Sequence, residues 1–536
     1  MSVTHPAPGG TAAPVPDIRW TPRVDGAALR RLAARVGTAA ERPGHIVCSP
    51  FTGEPIGTVP HCTADDVAAA VSRARSVQRA WRQTSFAQRR RIFLRFHDLV
   101  LERQELLIDV LQLEAGKARR DAFDEIADLV NVTRYYARNA RRHLRPQRRA
   151  GLIPLITRTR EYRHPVGVVG IVAPWNYPLT IPISDAVPAL LAGNAVIIKP
   201  SDLTPFSALA ALELLDEAGL PHGLLQAVTA PGAEIGSALI DHVDCIAFTG
   251  SSETGRKVAA RAGARLIDFS LELGGKNCMI VLEDAHLGRA VSGAVRNAFA
   301  SAGQLCMSAE RIYIHAALYD RFVAAFVEQT ARLRLGTRFD YGADVGCLAS
   351  EEQVRKVERH IRDALAKGAT LLAGGRRRPE LGPSFFEPTV LAGVTDDMDV
   401  AAEETFGPVV TLYRFDDPAD AIAHANATPY GLNASIWSRR PRAARKLALR
   451  LDVGTVSIND SFTATWGSVD APLGGFKASG MGRRHGAEGI RRFTEAQTVA
   501  IQYLAPIAPP PGFGERRFTR LVSTYMKLRR RLPGSR

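Results

Sequence analysis

Cys306 stands in "SAGQLCMSAER" (301–311), between a Gly-Gln turn and a polar run. A thiol in that setting can attack a carbonyl carbon if partners surround it; without them it is a small packing residue. Three other stretches offer partners. In "LELGGK", Glu272 ends a strand-like run and precedes Gly274 and Gly275, which permit close backbone approach or unusual dihedrals and so leave a carboxylate at a cleft. In "APWNYP", Pro174 and Pro178 fix a turn around Asn176, whose amide is the donor that an oxyanion from thiolate attack would need. "FTGSSETGRK" (248–257) is a glycine-bounded turn between a strand and a helix, able to present backbone N–H groups to an anion. Each also has an ordinary reading: a solvated strand-end acid, a turn amide, a tight turn. The last lacks G-x-G-x-x-G spacing, and it fails the P-loop pattern because Arg256-Lys257 stand where Lys-Ser/Thr is required.

The elements that must carry these residues are legible. "GVVGIVAP" (167–174), "NAVIIKPS" (194–201), "LLQAVTA" (224–230), "CIAFTG" (245–250) and "RLIDFSLEL" (265–273) read as strands, separated by helical patterns such as "PFSALAALELLDEAGL". Continuous apolar strands alternating with helices predict a parallel, doubly wound sheet buried on both faces, with ligands beyond the carboxyl ends of the strands. A second strand-helix series over about 276–473 predicts a second α/β domain. "LIPLITRTREYRHPV" (152–166) and "AQTVAIQYL" (496–504) are strand-like but lie outside both series, as an arm that pairs with another subunit would.

At 536 residues the chain fits two or three domains, with no internal repeat. No apolar run reaches the ~20 residues of a membrane-spanning helix. The Pro/Gly/Ala-rich start reads as a disordered leader without a secretion signal. The cysteines at 48, 62, 245, 278, 306 and 347 form no C-x-x-C pair and no metal-ligand spacing, so no metal is expected, and free thiols suit the cytoplasm. Of the net charge of +15, eight basic residues lie in Arg516–Arg536 with no acid among them. There Phe518, Leu521, Val522, Tyr525, Leu528 and Leu532 recur at helical spacing between arginines. That pattern fits either an interfacial helix on an anionic membrane or a helix packed on the protein. No nucleic-acid partner is expected.

Taken together in order and spacing, these motifs resemble the NAD(P)-dependent aldehyde dehydrogenases over about residues 45–500. "GNAVIIKPSDLTP" (193–205), "EETFGPV" (403–409), "YGLNASIWS" (430–438) and "PLGGFKASGMGR" (472–483) match as well. The resemblance implies an aldehyde dehydrogenase-like α/β fold: a Rossmann-type doubly wound cofactor domain, a second α/β catalytic domain and a β oligomerisation arm. The expected boundaries are a flexible leader at 1–44, the cofactor-binding domain at 45–143 and 167–273, and the arm at 144–166. The catalytic domain is expected at 274–473, a return to the cofactor domain with an oligomerisation strand at 474–506, and the basic tail at 507–536.

By resemblance Cys306 is the nucleophile that forms a thiohemiacetal and then a thioester. Asn176 and the Cys306 N–H hold the oxyanion, and Glu272 is the general base for hydrolysis. Lys199 binds the adenosine ribose, Gly250 and Ser251 approach the pyrophosphate, and Gly232 and Gly236 lie beside the adenine. Glu404 bonds the nicotinamide ribose, Phe406 packs near the nicotinamide, and Trp175 and Leu273 line the channel. Asp202 stands where NAD users of the family commonly carry Glu; its charge repels a 2′-phosphate and favours NAD. Against this, Lys199 and Ser201 can bind the phosphate of NADP if Asp202 swings aside.

The run looks most like bacterial succinate-semialdehyde dehydrogenases, as in "EAGKARRDAFDEIADLVN", "GQLCMSAERIYI" and "WGSVDAPLGG". It departs from many of them in having no arginine within "NAFASAGQLC", where they hold the substrate carboxylate. Trp466, Phe462 and Tyr177 suit an apolar or aromatic aldehyde equally, so a broad-specificity enzyme is the alternative. Retained Glu272 argues against a CoA-acylating relative. Intact Cys306, Glu272, Asn176 and Glu404 argue against an inactive binding protein of the same fold. A homodimer or homotetramer is expected.

Overall fold

Short β-branched runs bounded by glycine or proline become the strands of two mostly parallel sheets. The computed structural model describes residues 24–38, 44–153, 156–504 and 507–530. The first sheet has the order Gly480–Met481, Asp268–Glu272, Cys245–Thr249, Val168–Val172, Ala195–Lys199, Leu225–Ala227. All neighbours are parallel except the short Gly480–Met481 strand at one edge. All five expected strands are present, and the crossover between the Cys245–Thr249 and Val168–Val172 strands makes a switch point in strand order. Helices such as Thr180–Ala192 and Phe206–Glu217, apolar nearly all round and buried, cover this sheet.

The second sheet has seven strands in the order Thr370–Ala373, Thr389–Ala392, Val409–Phe415, Ala309–His315, Asn277–Val281, Asn433–Trp437, Thr455–Ile458, with only the Thr370–Ala373 edge antiparallel. Only "LGGK" separates the end of the Asp268–Glu272 strand in one sheet from the start of the Asn277–Val281 strand in the other. That four-residue link runs past the site.

Two buried carboxylates fix where helices start. Glu125 accepts the N–H groups of Leu179 and Thr180, both at 3.0 Å, and is paired with Lys117 at 2.6 Å. Glu114 accepts those of Phe206 and Ser207, both at 2.7 Å. Neither helix has a capping side chain of its own, so its orphan donors are satisfied from across the fold.

The expected leader needs a correction. Residues 26–33 form a helix in which Asp25 accepts from the Ala28 N–H at 2.7 Å, and Leu29, Leu32, Ala33 and Val36 are buried against the core. Spacing of i, i+3, i+4, i+7 gives that helix an apolar face, which the Pro/Gly-rich composition upstream obscured. The rest of 1–23 lies outside the described residues.

Thr157–Pro165 pairs antiparallel with Thr494–Gln502 and with Gln147–Arg149, which makes a three-stranded sheet apart from the other two. Its outer strand leaves Val499 and Ile501 exposed. The tail forms the helix Glu515–Arg529, and both the Tyr525 hydroxyl (3.0 Å) and Arg529 Nη1 (2.8 Å) donate to the Leu152 carbonyl beside that sheet. Leu532 lies outside the described residues.

Candidate active site

The carboxyl ends of five adjacent strands present the expected residues side by side. In spatial order they are Glu272 and Leu273, then Gly250 and Ser251, then Trp175 and Asn176, then Lys199, Ser201 and Asp202, and last Gly232 and Gly236, in the first two turns of the helix Gly232–His242 that follows the fifth strand. Across from the first three ends, Cys306, Glu404 and Phe406 come from loops of the second sheet. Together Trp175, Asn176, Gly250, Ser251, Glu272, Leu273, Cys306, Glu404 and Phe406 line one cavity of about 220 Å³. Lys199, Ser201, Asp202, Gly232 and Gly236 do not line it; they lie further along the same strand-end row.

Cys306 follows a turn under strain. Ser301, Ala302 and Gly303 all have positive φ (51°, 54° and 71°), in the left-handed region that costs alanine and serine of order 1 kcal/mol each. Several bonds hold the turn. The Asp121 carboxylate accepts the Ser301 N–H at 2.9 Å. Gln304 Oε1 accepts from the Ala349 N–H at 2.9 Å, and Gln304 Nε2 donates to the Ser301 and Cys347 carbonyls, both at 3.2 Å. Gly303 is required because a Cβ would strike the Gly407 carbonyl. The far side is fixed by Asn277, whose Nδ2 donates to the carbonyls of Cys306 (2.6 Å) and Ser308 (2.9 Å). Burial, followed by the nearby Glu404 and Glu272 carboxylates, pushes the thiol up to about 12. The resting sulfur therefore carries its proton, and attack requires an acceptor for it.

Asn176 donates one amide hydrogen to the Gln304 carbonyl at 2.8 Å, which locks the side chain against the Cys306 loop and leaves the second N–H for the cavity. Glu272 is buried, and its Oε1 has no hydrogen-bond partner. Burial raises its carboxyl to about 7, partly opposed by Arg484 and Arg492, which form ion pairs with Asp185 beneath the site. A buried, unpaired carboxyl near neutrality is costly for folding and suited to proton transfer.

The two glycines after Glu272 serve close approach, with neither at positive φ. A Cβ on Gly274 would collide with the Glu404 carboxylate, and one on Gly275 would come within 3.0 Å of the Cys306 carbonyl. The Gly275 N–H also donates to Glu404 Oε1 at 2.7 Å. Burial raises Glu404 to about 7 as well, with Glu310 adding to the effect. Phe406, at φ 57°, is pinned because Glu310 accepts its N–H at 2.9 Å and Gln353 Nε2 donates to its carbonyl at 2.7 Å. Its ring meets Trp175 edge-on, with centroids 5.4 Å apart.

These residues fit a nicotinamide dinucleotide. Ser251 caps the helix Ser252–Ala264 and accepts the Thr254 N–H at 3.2 Å, so that helix start turns free backbone donors toward an anion at the cavity edge. The Gly275 bond occupies one oxygen of Glu404, and the residue lines the cavity. Gln353 and Lys356 also line the cavity, and Lys356 continues with Ser251 and Glu404 into the adjoining cleft. Sequence reading missed both: they lie on the surface-amphipathic helix Glu351–Ala366, where "EEQVRK" carries no sign of which polar face turns inward.

Residues 38–499 match the model of the "Aldehyde dehydrogenase family". A protein of Mycolicibacterium smegmatis named "Putative succinate-semialdehyde dehydrogenase", with NADP(+) in its name, is 48% identical over 95% of this chain and 98% of its own. The NADP(+) succinate-semialdehyde dehydrogenase GabD of Escherichia coli is 37% identical over 85% of this chain and 94% of its own. The crystal structure of succinate-semialdehyde dehydrogenase from Burkholderia pseudomallei superposes with a TM-score of 0.82 at 36% identity, covering 86% of this chain and 94% of that one. The chain belongs to the aldehyde dehydrogenase family, whose enzymes oxidise aldehydes.

Proposed function

We propose that the protein oxidises succinate semialdehyde to succinate with NAD(P), through a covalent intermediate on Cys306. The convergence of Cys306, Glu272 and Asn176 on one cavity with Glu404 and Phe406 carries this reading; the names of its relatives support the substrate. Cys306 Sγ attacks the aldehyde carbon as its proton leaves to solvent, and the alkoxide is held by the Asn176 amide and the Cys306 N–H. A bound nicotinamide dinucleotide supplies the hydride acceptor. The oxidised carbon stays on sulfur as a thioester. Glu272 then takes a proton from the water that cleaves it, which releases the acid and restores the thiol. Trp175, Lys199, Ser201, Asp202, Gly232, Gly236, Gly250, Ser251, Leu273, Glu404 and Phe406 hold the dinucleotide, joined by Gln353 and Lys356.

The ratio of NAD to NADP use is set at Lys199 and Asp202, whose side chains pair at 3.1 Å. The Asp202 carboxylate opposes a 2′-phosphate, whereas the relatives' names favour NADP. The test is NAD(P)H release with succinate semialdehyde and with aliphatic and aromatic aldehydes, using NAD and NADP side by side, with and without CoA. Turnover independent of CoA is expected, and Asp202→Ala should raise kcat/KM for NADP relative to NAD by ~3–10-fold. Dependence on CoA, or release with no aldehyde tried, overturns the reading.

We assign 45–143 and 167–273 to the cofactor domain, 274–473 to the catalytic domain, and 144–166 with 474–506 to the arm and its return. On this assignment the exposed strand Thr494–Gln502 joins subunits of a homodimer or homotetramer in the cytoplasm. The tail helix extends that arm, as its bonds to Leu152 suggest. Protein truncated before Glu515 should pellet with anionic vesicles as little as the full chain does. Pelleting of the full chain alone would make the tail a membrane-surface helix instead.

A further inference from the structure

We propose that Arg296 recognises the far end of the substrate, exchanging Asp124 for a carboxylate carried by the aldehyde; this rests on reading Cys306 as the nucleophile. A second cavity, of about 260 Å³, shares Tyr177, Leu305 and Trp466 with the one that holds Cys306. Leu305 immediately precedes Cys306, so the two cavities adjoin beside the sulfur, and on this proposal they serve as one passage outward. Tyr177 and Trp466 flank that passage with ring centroids 6.2 Å apart. Among the described residues lining the outer cavity, Arg296 is the one cation.

Arg296 lies on the last turn of the helix Leu287–Phe299, one residue before the stretch in which no arginine occurs. Its Nη2 donates to Asp124 Oδ2 at 2.9 Å, and its guanidinium carbon sits 5.5 Å from the centroid of the Phe462 ring. The aromatic face orients the planar fork, while this bond to Asp124 engages one of its five N–H donors. The two side chains are 32% and 33% exposed. A pair this wet is weakly held, so an incoming carboxylate can replace Asp124 or share the guanidinium with it at little cost.

The other polar residues of the outer cavity offer no second cation: Asp124 and Asp128 are carboxylates, Asp128 with one oxygen unpartnered, and Tyr177, Thr463 and Asn131 are neutral. Asp128 accepts from the Thr180 hydroxyl at 2.5 Å and the Ser184 hydroxyl at 3.4 Å, and Asn131 Nδ2 donates to the Gly467 carbonyl at 3.0 Å. A carboxylate entering the passage therefore meets Arg296 as its available charge partner. A neutral aldehyde of equal length gains nothing from it.

The test compares kcat and KM for aldehydes of four to six carbons that end in a carboxylate with neutral, unbranched aldehydes of the same length. The reading is the ratio of kcat/KM for each charged aldehyde over its neutral partner. Arg296→Gln should lower that ratio on the order of 10–100-fold, chiefly through KM of the charged substrate. Arg296→Lys should retain part of it, and Asp124→Asn should raise it by about 3–10-fold. A ratio within twofold of the parent in Arg296→Gln, or equal loss on both members of a pair, overturns the assignment. Preference for succinate semialdehyde with a ratio indifferent to Arg296 would sink the assignment and leave the proposed substrate standing. An Arg296-dependent ratio that peaks on a longer charged aldehyde would do the reverse.

Discussion

Cys306→Ala should lower NAD(P)H formation by ~10⁴-fold or more, because the substitution removes the atom to which the substrate carbon bonds and no neighbouring group can replace it. Cys306→Ser should be nearly as inactive: an alcohol is a much weaker acid than a thiol, and this thiol is already held up to about 12 by burial and two carboxylates. Folding should survive, since the loop is held by Asp121, Gln304 and Asn277, none of which bonds to the sulfur. The measurement is steady-state turnover together with the thermal midpoint and the quenching of protein fluorescence by the dinucleotide. Turnover above a tenth of the parent's, with binding and midpoint unchanged, would remove the covalent mechanism.

Glu272→Gln should separate the two halves of the reaction. Hydrolysis needs a base and should slow by ~10²–10⁴-fold, so the acyl group accumulates on Cys306. Rapid mixing should then show one equivalent of NAD(P)H per site followed by a nearly flat line, and intact-protein mass should show the acyl adduct. The pH dependence gives an independent check. Burial raises Glu272 to about 7, and the ionised form is the one that accepts a proton. Turnover of the parent should therefore rise with pH through about 7, falling about tenfold per unit below that, and should level off above. That limb should vanish in Glu272→Gln. A steady state as fast as the parent's would assign the base to another residue.

The parts of the site that could be read in the sequence are those in which one residue type does one thing at one place. Glu272 before paired glycines and Asn176 between prolines sit at the carboxyl ends of strands whose apolar runs are unmistakable, and Cys306 lies in the polar loop that leads into the strand Ala309–His315. A parallel sheet aligns such ends on one edge, so the row from Glu272 to Gly236 follows from strand identity once the strand order is known. Gln353, Lys356 and Arg296 could not be found that way. Each lies on an amphipathic helix among other polar residues, and which polar face turns into a cavity depends on what that helix packs against.

The sequence by itself therefore determined the chemistry: a thiol, an acid, an amide and an anion-binding turn, carried by two strand-helix series. Tertiary structure decided how that chemistry is held and aimed. Glu125 and Glu114 cap helices more than fifty residues away in sequence, and Gly274 yields its Cβ space to the Glu404 carboxylate. The caps form only when those helices pack on the first sheet, and the Gly274–Glu404 contact only when the two sheets meet, because desolvating a carboxylate is tolerable only where distant backbone donors or cations arrive with it.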